Sequence, residues 1–237
     1  MVEFESRSLA RADRIALASD PVARSAVEDH RADPSRVSVV PLGANIEAVD
    51  LPDDGGPPSP SDLRLLLSAA DPERKQLDLC VEIVAELRAR GWSATLHYIG
   101  PERDACRRPE VEWAGRLELG DSGDAAIHRE LLRSCHLAIL PSLAEMYGIA
   151  PIESAAFGRP AVVSDVGGLP TVVRDGETGR VVPIDTPVAG WVDAVEAICA
   201  RPDRYAAFSR AAKARQASVL NWDAWGRTVR GLIEQVV

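Results

Sequence analysis

The sequence predicts an α/β protein built on a doubly wound parallel sheet. From residue 63 onward, short apolar segments alternate with amphipathic segments of helical period, a pattern that is typical of parallel βαβ units. Hydrophobic residues make up 46% of the chain and charged residues 27%, the balance of a globular protein with a large core. No internal repeat is visible at a fixed period, which argues against a solenoid or a propeller.

Residues 1–49 contain too few elements to fold as a domain of their own. A charged helical lead-in is followed by an apolar strand at Ile15–Ala18 and by a helix over residues 20–30, with Asp20 as its cap. Val37–Ala44 predicts a second strand. A strand-helix-strand unit of this size buries too little surface to be stable alone. We therefore expect this segment to be the tail end of a larger domain.

Residues 50–62, DLPDDGGPPSPSD, are rich in proline, glycine, acidic residues and serine. This composition is typical of a linker, and it predicts the one clear domain boundary in the chain. The second domain then spans residues 63–237.

The second domain is predicted to alternate strands with helices and to end in two or three helices. Its predicted strands are Leu63–Ala69, Ala94–Gly100, Val111–Gly115, His136–Ser142, Pro160–Asp165 and Arg180–Ile184. Its predicted earlier helices are Leu77–Gly91, His128–Ser134 and Gly148–Gly158. In such sheets ligands bind at the carboxyl ends of the strands, beside helix N-termini. A binding site is therefore expected in the strand-to-helix loops.

Charge and composition exclude several classes of function. The net charge of −9 leaves no excess of basic residues for general nucleic-acid binding. The first residues are charged, so we predict no signal peptide, and no apolar run approaches the ~20 residues of a membrane span. Peripheral membrane contact has no support in the sequence and stays open. The four scattered cysteines form no C-x-x-C pair and favour reduced thiols in the cytoplasm.

Two glutamates stand out in the stretch after the predicted strand His136–Ser142. Seven residues separate Glu145 from Glu153, and Pro151 suits the first turn of a helix, so Glu153 is expected near the amino end of that helix. Helix capping is the simpler interpretation of Glu153. The alternative is a cleft in which a phosphate binds free backbone amides. Those amides belong to Met146, Tyr147, Gly148 and Ile149.

Five features in the same order surround this pair. They are the two glutamates themselves, E-x-Y-G at residues 145–148, A-x-G-x-P at residues 156–160, Gly167-Gly168, and D-G-x-x-G at residues 175–179. Together they resemble the E-x7-E region of family-4-type retaining glycosyltransferases of the GT-B fold, the glycosyl transferases group 1. Further segments are similar to the family: ADRIALASD, VVPLGAN, PERKQLDL and NWDAWG. The resemblance covers nearly the whole chain but begins at the end of the family's first domain.

The resemblance implies a Rossmann-like C-terminal domain that binds a nucleoside-diphosphate sugar and transfers the sugar with retention. Lys75 matches the family's phosphate-binding lysine, and Arg74 beside it is a second candidate. Family members commonly have an arginine five positions before the lysine, where this chain has Ala70. Glu153 matches the carboxylate that accepts two ribose hydroxyls, and Glu145 matches the catalytic residue that contacts the donor sugar.

The resemblance also assigns the neighbourhood of the base to the loop around Gly115 and Arg116. Trp113 could stack on the base, but a tryptophan that ends an apolar strand is more often a core residue, and we expect it there. Gly167 and Gly168 are expected to allow a tight backbone turn.

No metal site is expected, because Asp165 has no second carboxylate at D-x-D spacing. His97, His128 and His136 are expected to be ordinary packing or surface residues. No cofactor is implied beyond the sugar-nucleotide donor.

Several functions remain open on the sequence alone. By family analogy an acceptor-side domain, either in the same chain or in a separate subunit, completes the transferase. An epimerase or a phosphorylase would use the same cleft, since fold does not separate these activities. A non-catalytic nucleotide-sugar-binding module and one half of a split enzyme are further alternatives.

Overall fold

The computed structural model describes residues 2–46 and 56–236 of the chain. The strands, numbered along the chain, are β1 (Ile15–Leu17), β2 (Val37–Val39), β3 (Leu63–Ser68), β4 (Ala94–Ile99), β5 (Val111–Trp113), β6 (Leu137–Leu140), β7 (Ala161–Ser164) and β8 (Gly179–Val182). The helices are α1 (Val2–Arg11), α2 (Asp20–Glu28), α3 (Leu77–Ala89), α4 (Ser122–Ser134), α5 (Ile149–Ala156), α6 (Leu169–Val172), α7 (Val188–Cys199), α8 (Pro202–Ser218) and α9 (Trp222–Glu234). Short 3-10 helices occupy Pro34–Arg36 and Asp104–Arg107.

Six parallel strands form the main sheet in the order β5-β4-β3-β6-β7-β8. The chain moves outward from β3 to β5 on one side, and then returns to the centre and moves outward from β6 to β8 on the other. The predicted doubly wound sheet is therefore confirmed. The order reverses between β3 and β6, so the loops that follow these two strands diverge to opposite faces and leave a crevice.

The central strands are apolar along their whole length because helices cover both faces of the sheet. In β3, the side chains of Leu65 and Leu67 belong to the larger core cluster, which also contains α3 and α7. Leu66 points to the opposite face and packs with Leu132 of α4 and Cys135. Alternation along one strand thus connects two helical layers through the sheet.

The first strands, β1 and β2, pair in parallel as a separate two-stranded sheet over a small cluster that includes Ile15 and Ala26. This unit contacts the larger domain through hydrogen bonds. The phenol of Tyr147 donates to the carbonyl of Leu42 at 3.0 Å, and Thr171 Oγ1 donates to Asp20 Oδ2 at 2.7 Å. Of the predicted linker 50–62, residues 50–55 lie outside the described residues, so the domain boundary stays a prediction.

Two predictions for the first segment are wrong in detail. Strand β2 ends at Val39 rather than continuing to Ala44: the amide of Val40 still donates to Leu17 O at 2.7 Å, but Pro41 has no N–H with which to extend the pairing. Asp20 does not cap α2. Ser19 is the N-cap residue, and the Asp20 carboxylate instead accepts the hydrogen bond from Thr171.

Two helices of the larger domain also differ from the prediction. Helix α4 begins at Ser122, six residues before the predicted start at His128. Asp121 caps it, since its carboxylate accepts hydrogen bonds from the amides of Gly123 and Asp124 at 2.8 and 3.1 Å. The short helix α6, which follows the Gly167-Gly168 turn, was not predicted.

Replacing this cap should weaken the fold measurably. Asp121→Ala removes the acceptor of two helix N-terminal amides, and we expect a loss of about 0.5–2 kcal/mol in the free energy of unfolding. Asp121→Asn keeps a capping oxygen and should retain most of the stability. Urea unfolding of the three proteins measures the difference. Equal loss in both variants would argue that charge, rather than capping, is the contribution of Asp121.

Candidate functional site

The loops that follow β3 and β6 meet at the crevice where the strand order reverses. The amide of Leu143, after β6, donates to the carbonyl of Arg74, after β3, at 2.9 Å. This backbone contact joins the two loops, although about seventy residues of chain separate them. The side chains that follow each strand are thereby brought to one place.

The side chain of Lys75, in the loop after β3, extends toward Glu145 in the loop after β6. Its Nζ donates to the carbonyl of Ser68 at 3.1 Å and lies 3.9 Å from Glu145 Oε2. The next residue, Gln76, is the N-cap residue of helix α3 and has a φ of +53°, which is uncommon for a residue with a side chain. Burial lowers the pKa of the Lys75 ammonium, and the charge of Glu145 opposes that shift.

Arg74 bridges the two loops. Its Nη1 lies 3.3 Å from Glu145 Oε2, while its Nε lies 3.3 Å from Asp71 Oδ2. The guanidinium therefore lies beside the Lys75 ammonium, and both cations face one carboxylate. Ala70, where the family commonly has an arginine, is exposed and carries no charge. Arg74 is the residue that supplies a guanidinium to this part of the crevice.

The Gly167-Gly168 turn lies directly behind the Glu145 loop. Gly167 has a φ of +50°, and a Cβ on it would overlap the carbonyl oxygen of Glu145. A Cβ on Gly168 would lie 2.5 Å from the carbonyl oxygen of Met146. The structure thus confirms a structural role for both glycines, whose absent side chains let the backbone of the Glu145 loop pack against them.

Helix α5 begins directly after this loop. Gly148 is its N-cap residue, with a φ of +102°. The backbone amides of residues 146–149 find no acceptor among the described residues, as expected for groups that precede or open a helix. The side chain of Met146 is 79% exposed, whereas Tyr147 is buried. The amides of this loop thus lie at the amino end of α5, where the helix dipole favours negative charge.

Glu153 is buried inside the domain, only 6% exposed. It is the fifth residue of α5, beyond the first turn, so the simpler prediction of a helix cap is wrong. Burial raises the pKa of its carboxyl to about 7, while the nearby backbone N–H of Asn45 and the charge of Lys75 both pull that pKa down. A buried carboxyl with so few partners is costly to the fold, and such groups are common at functional sites.

His128 faces Glu153, which sequence reasoning missed. His128 Nε2 lies 3.8 Å from Glu153 Oε2, and both side chains are nearly fully buried. His128 was expected to be an ordinary packing residue. The sequence did indicate that His128 is buried, because it lies four residues before the apolar Leu132 and so on the same inward face of α4. A polar side chain on such a face needs a polar neighbour.

The loop after β5 lies at the same edge of the sheet, two strands away from β3. The carbonyl of Gly115 accepts a hydrogen bond from the amide of Gly100 at 3.0 Å, and Gly115 has a φ of +87°. Arg116 is three-quarters exposed and pairs with Glu118 rather than with the two glutamates. Trp113 is 41% exposed, so its expected place in the core is wrong; its indole N–H is anchored to Gly100 O at 2.9 Å.

Two further findings concern the described part of the chain as a whole. Within residues 2–46 and 56–236, no three His, Cys, Asp or Glu side chains lie together as metal ligands would. No helix in the same ranges combines the length and the apolar character that crossing a membrane requires.

Comparison with known proteins identifies the family. Residues 63–201, more than half of the chain, match the family described as glycosyl transferases group 1. The chain belongs to this family. Members of the family therefore share the domain that contains the crevice, from β3 through α7.

Curated relatives with the same domain are longer than this chain. The chain is 30% identical over 250 residues to the D-inositol 3-phosphate glycosyltransferase of Nocardia farcinica (strain IFM 10152), covering 97% of this chain and 53% of the relative. It is 32% identical over 237 residues to the enzyme of that name from Mycobacterium tuberculosis (strain ATCC 25177 / H37Ra), covering 92% and 48%. The chain thus spans about half the length of the curated relatives that it matches.

Solved structures share the fold. A glycosyltransferase from Rickettsia africae ESF-5 superposes with a TM-score of 0.78 at 15% identity, over 99% of this chain and 66% of that one. Sucrose-phosphate synthase from Thermosynechococcus elongatus superposes with a TM-score of 0.73 at 21% identity, over 99% and 61%. At these identities the similarity shows that the helices and strands share the same arrangement, and no more than that.

The burial of Glu153 leads to a pH-dependent prediction for stability. Because the pKa of this carboxyl is about 7 in the folded protein and near 4.5 when unfolded, ionisation of Glu153 progressively destabilises the fold as pH rises between those values. Glu153→Gln removes this cost. From pH 5 to pH 8, the stability of the variant relative to wild type should rise by about 2 kcal/mol.

Chemical unfolding at the two pH values measures this change, with Glu177→Gln, an exposed carboxylate that pairs with Arg174, as the control. A difference between Glu153→Gln and wild type that stays constant with pH would show that Glu153 is ionised throughout the range.

Proposed function

We propose that this chain contains the donor-binding part of a retaining glycosyltransferase of the family-4 type. In this proposal the crevice binds a nucleoside-diphosphate sugar, and the sugar passes to an acceptor hydroxyl. The observation that supports it most directly is the convergence of three groups in one crevice. Two cations after β3, a carboxylate and free amides after β6, and a buried carboxylate in α5 together match the phosphate, sugar and ribose of such a donor.

The diphosphate is proposed to bind between Lys75, Arg74 and the amino end of α5. A departing nucleoside diphosphate gains negative charge, and preorganised cations and amides stabilise that charge in the transition state. Two cations and a helix N-terminus supply what a divalent metal would otherwise supply, so we propose that no metal is required. The amides of residues 146–149 complete this proposed phosphate site.

Glu153 is proposed to accept both ribose hydroxyls. A carboxylate has two acceptor oxygens and can accept one O–H on each, whereas an amide or a hydroxyl side chain offers a single acceptor oxygen. Its burial places the ribose in a desolvated part of the crevice, where hydrogen bonds to a charged acceptor are strong. The loop around Gly115 and Arg116, at the same sheet edge, is the proposed neighbour of the base.

Glu145 is proposed to contact the donor sugar. Its carboxylate pairs with Arg74 and Lys75, the same cations that the diphosphate is proposed to need. Donor binding would replace this pairing: the phosphates take the cations, and Glu145 is released toward the sugar hydroxyls and the developing positive charge at the anomeric carbon. Binding and positioning are thereby coupled through one ion-pair exchange.

Retention is proposed to follow from attack on the face that the leaving group vacates. The bond from the anomeric carbon to the phosphate oxygen breaks, the acceptor oxygen bonds to that carbon, and its proton passes to the departing phosphate. An acceptor-side domain would confine the acceptor beside the sugar, which is a large part of the rate gain. The elements α1 to β2 are proposed to belong to that domain, and closure over the donor would complete the site.

Lys75→Ala should separate phosphate binding from nucleoside binding. Losing a charge-assisted hydrogen bond costs about 1.5–3 kcal/mol, so the nucleoside diphosphate should bind about ten- to a hundredfold more weakly. Affinity for the matching nucleoside should change little. Calorimetric titration in a chelator, with uridine, guanosine and adenosine diphosphates and their nucleosides, tests both points. Equal losses for diphosphate and nucleoside would remove Lys75 from the phosphate site, and strict dependence on Mg²⁺ or Mn²⁺ would contradict binding by cations alone.

Glu145→Gln should change the preference between the bare diphosphate and its sugar conjugate. The variant no longer neutralises Arg74 and Lys75, so the nucleoside diphosphate should bind as well as to wild type or a few-fold better. The sugar conjugate should lose affinity relative to the diphosphate, because one sugar contact is weakened by roughly 0.5–1.5 kcal/mol. The ratio of the two dissociation constants, compared with that of Glu177→Gln, is the readout. An unchanged ratio would exclude Glu145 from the sugar site.

A further inference from the structure

We propose that His128 is a positioning residue for the carboxylate of Glu153, and that the protonation states of the two side chains are coupled in the nucleoside pocket. This inference rests on the proposed function, in which Glu153 accepts the ribose hydroxyls. It adds His128, a residue outside the family motif, to the groups that position the Glu153 carboxylate.

Geometry places the pair at the centre of the domain. His128 extends from α4 and Glu153 from α5, and His128 Nε2 lies 3.8 Å from Glu153 Oε2. Their side chains are 5% and 8% exposed. Both border a small cavity that is otherwise lined mainly by apolar side chains, among them Leu66, Leu132 and Ile139. The two ionisable groups are within ion-pair distance of each other, and little solvent screens them in these surroundings.

The groups that face Glu153 from each neighbouring element are few. Lys75 approaches from the β3 loop, the backbone N–H of Asn45 from the segment after β2, and His128 from α4. Lys75 is also close to Glu145, so its charge is shared between two carboxylates. Among the ion pairs of the described residues, His128 pairs with Glu153 and with no other carboxylate.

An imidazole suits this position because it can either donate or accept at Nε2. As the side chains stand, Nε2 and Oε2 are 3.8 Å apart, beyond hydrogen-bond distance. A small approach would let the O–H of protonated Glu153 donate to Nε2, or an Nε2–H donate to the ionised carboxylate. Burial raises the pKa of Glu153 and lowers that of His128, so burial favours the neutral form of both groups. Ribose hydroxyls are donors, and they select the ionised carboxylate with the Nε2–H state of His128.

Two consequences follow for nucleotide binding. First, affinity falls as pH drops, because protonated Glu153 must lose its proton to accept both hydroxyls. Second, removing the His128 donor disfavours the carboxylate, so the midpoint of this pH profile moves to higher pH. A residue that merely fills space on α4 would change stability without moving that midpoint.

The experiment compares four proteins between pH 5.5 and 8.5, titrated with uridine, guanosine and adenosine diphosphates. His128→Leu should weaken the best of these ligands by about two- to tenfold at pH 7, the range of a single hydrogen bond. It should also raise the pH midpoint. His128→Gln, whose amide can donate, should lie closer to wild type.

His97→Gln is the matched control. His97 is also a largely buried imidazole near a carboxylate, 3.4 Å from Glu112 Oε2, but it lies on β4 outside the crevice. Its profile should match wild type. A midpoint in His128→Leu identical to that of wild type would overturn the proposal.

A second measurement is independent of any nucleotide. In an NMR titration of the histidine ring resonances, those of His128 should show a step where Glu153 ionises, and Glu153→Gln should abolish that step while leaving His97 unaffected. The same His128 titration in both proteins would overturn the pairing even if His128→Leu proves unstable. If none of the three diphosphates binds wild type, the proposed function fails, while the NMR comparison still decides whether the protonation states of His128 and Glu153 are coupled.

Discussion

The arrangement of the crevice depends on one electrostatic contact, in which Arg74 and Lys75 face the carboxylate of Glu145 across the gap between β3 and β6. The parallel strand order makes this contact possible, because it brings the ends of two distant strands side by side. Both cations are thus paired with a carboxylate. In the proposed donor complex, the phosphates would exchange with Glu145 at the two cations and so release its carboxylate. The substitution of Ala70 for the family's usual arginine makes this dual use of Arg74 more important, since Arg74 also supplies the second positive charge.

The site is maintained at a cost to stability. Glu153 is buried with weak compensation, and its carboxyl is therefore harder to ionise than an exposed one. Gln76 adopts a left-handed conformation immediately after Lys75. Natural proteins tolerate such features where they support function and compensate for them elsewhere. Here the compensation lies in the central strands, where Leu63, Leu65 and Leu67 are fully buried, and in the turn at Gly167, which fixes the Glu145 loop from behind.

The segment before residue 47 is connected to the same loop from the other side. Tyr147 donates to Leu42, and the backbone of Asn45 lies close to Glu153. A shift of this segment would therefore change contacts at both ends of the stretch from Glu145 to Glu153. In the two-domain enzyme that we propose, this connection gives a physical route by which domain closure could adjust the donor site.

By itself, the sequence determined the fold class and the motif residues of this protein. Apolar runs such as LRLLLS and HLAILPS are stable as central strands that helices cover on both faces. The stretch from Glu145 to Glu153 lies within one loop and one helix. The sequence also identified Lys75 and Arg74, through their resemblance to a family motif. Features that depend on distant parts of the chain were decided by tertiary structure alone. The pairing of Arg74 with Glu145 and the approach of His128 to Glu153 join elements whose separation in sequence gives no indication of their distance in space. The exposure of Trp113 likewise depends on how other elements pack around β5. The cap at Asp121 and the end of β2 at Val39 were equally undetermined, because propensity alone does not show which donors find acceptors once the strands have paired.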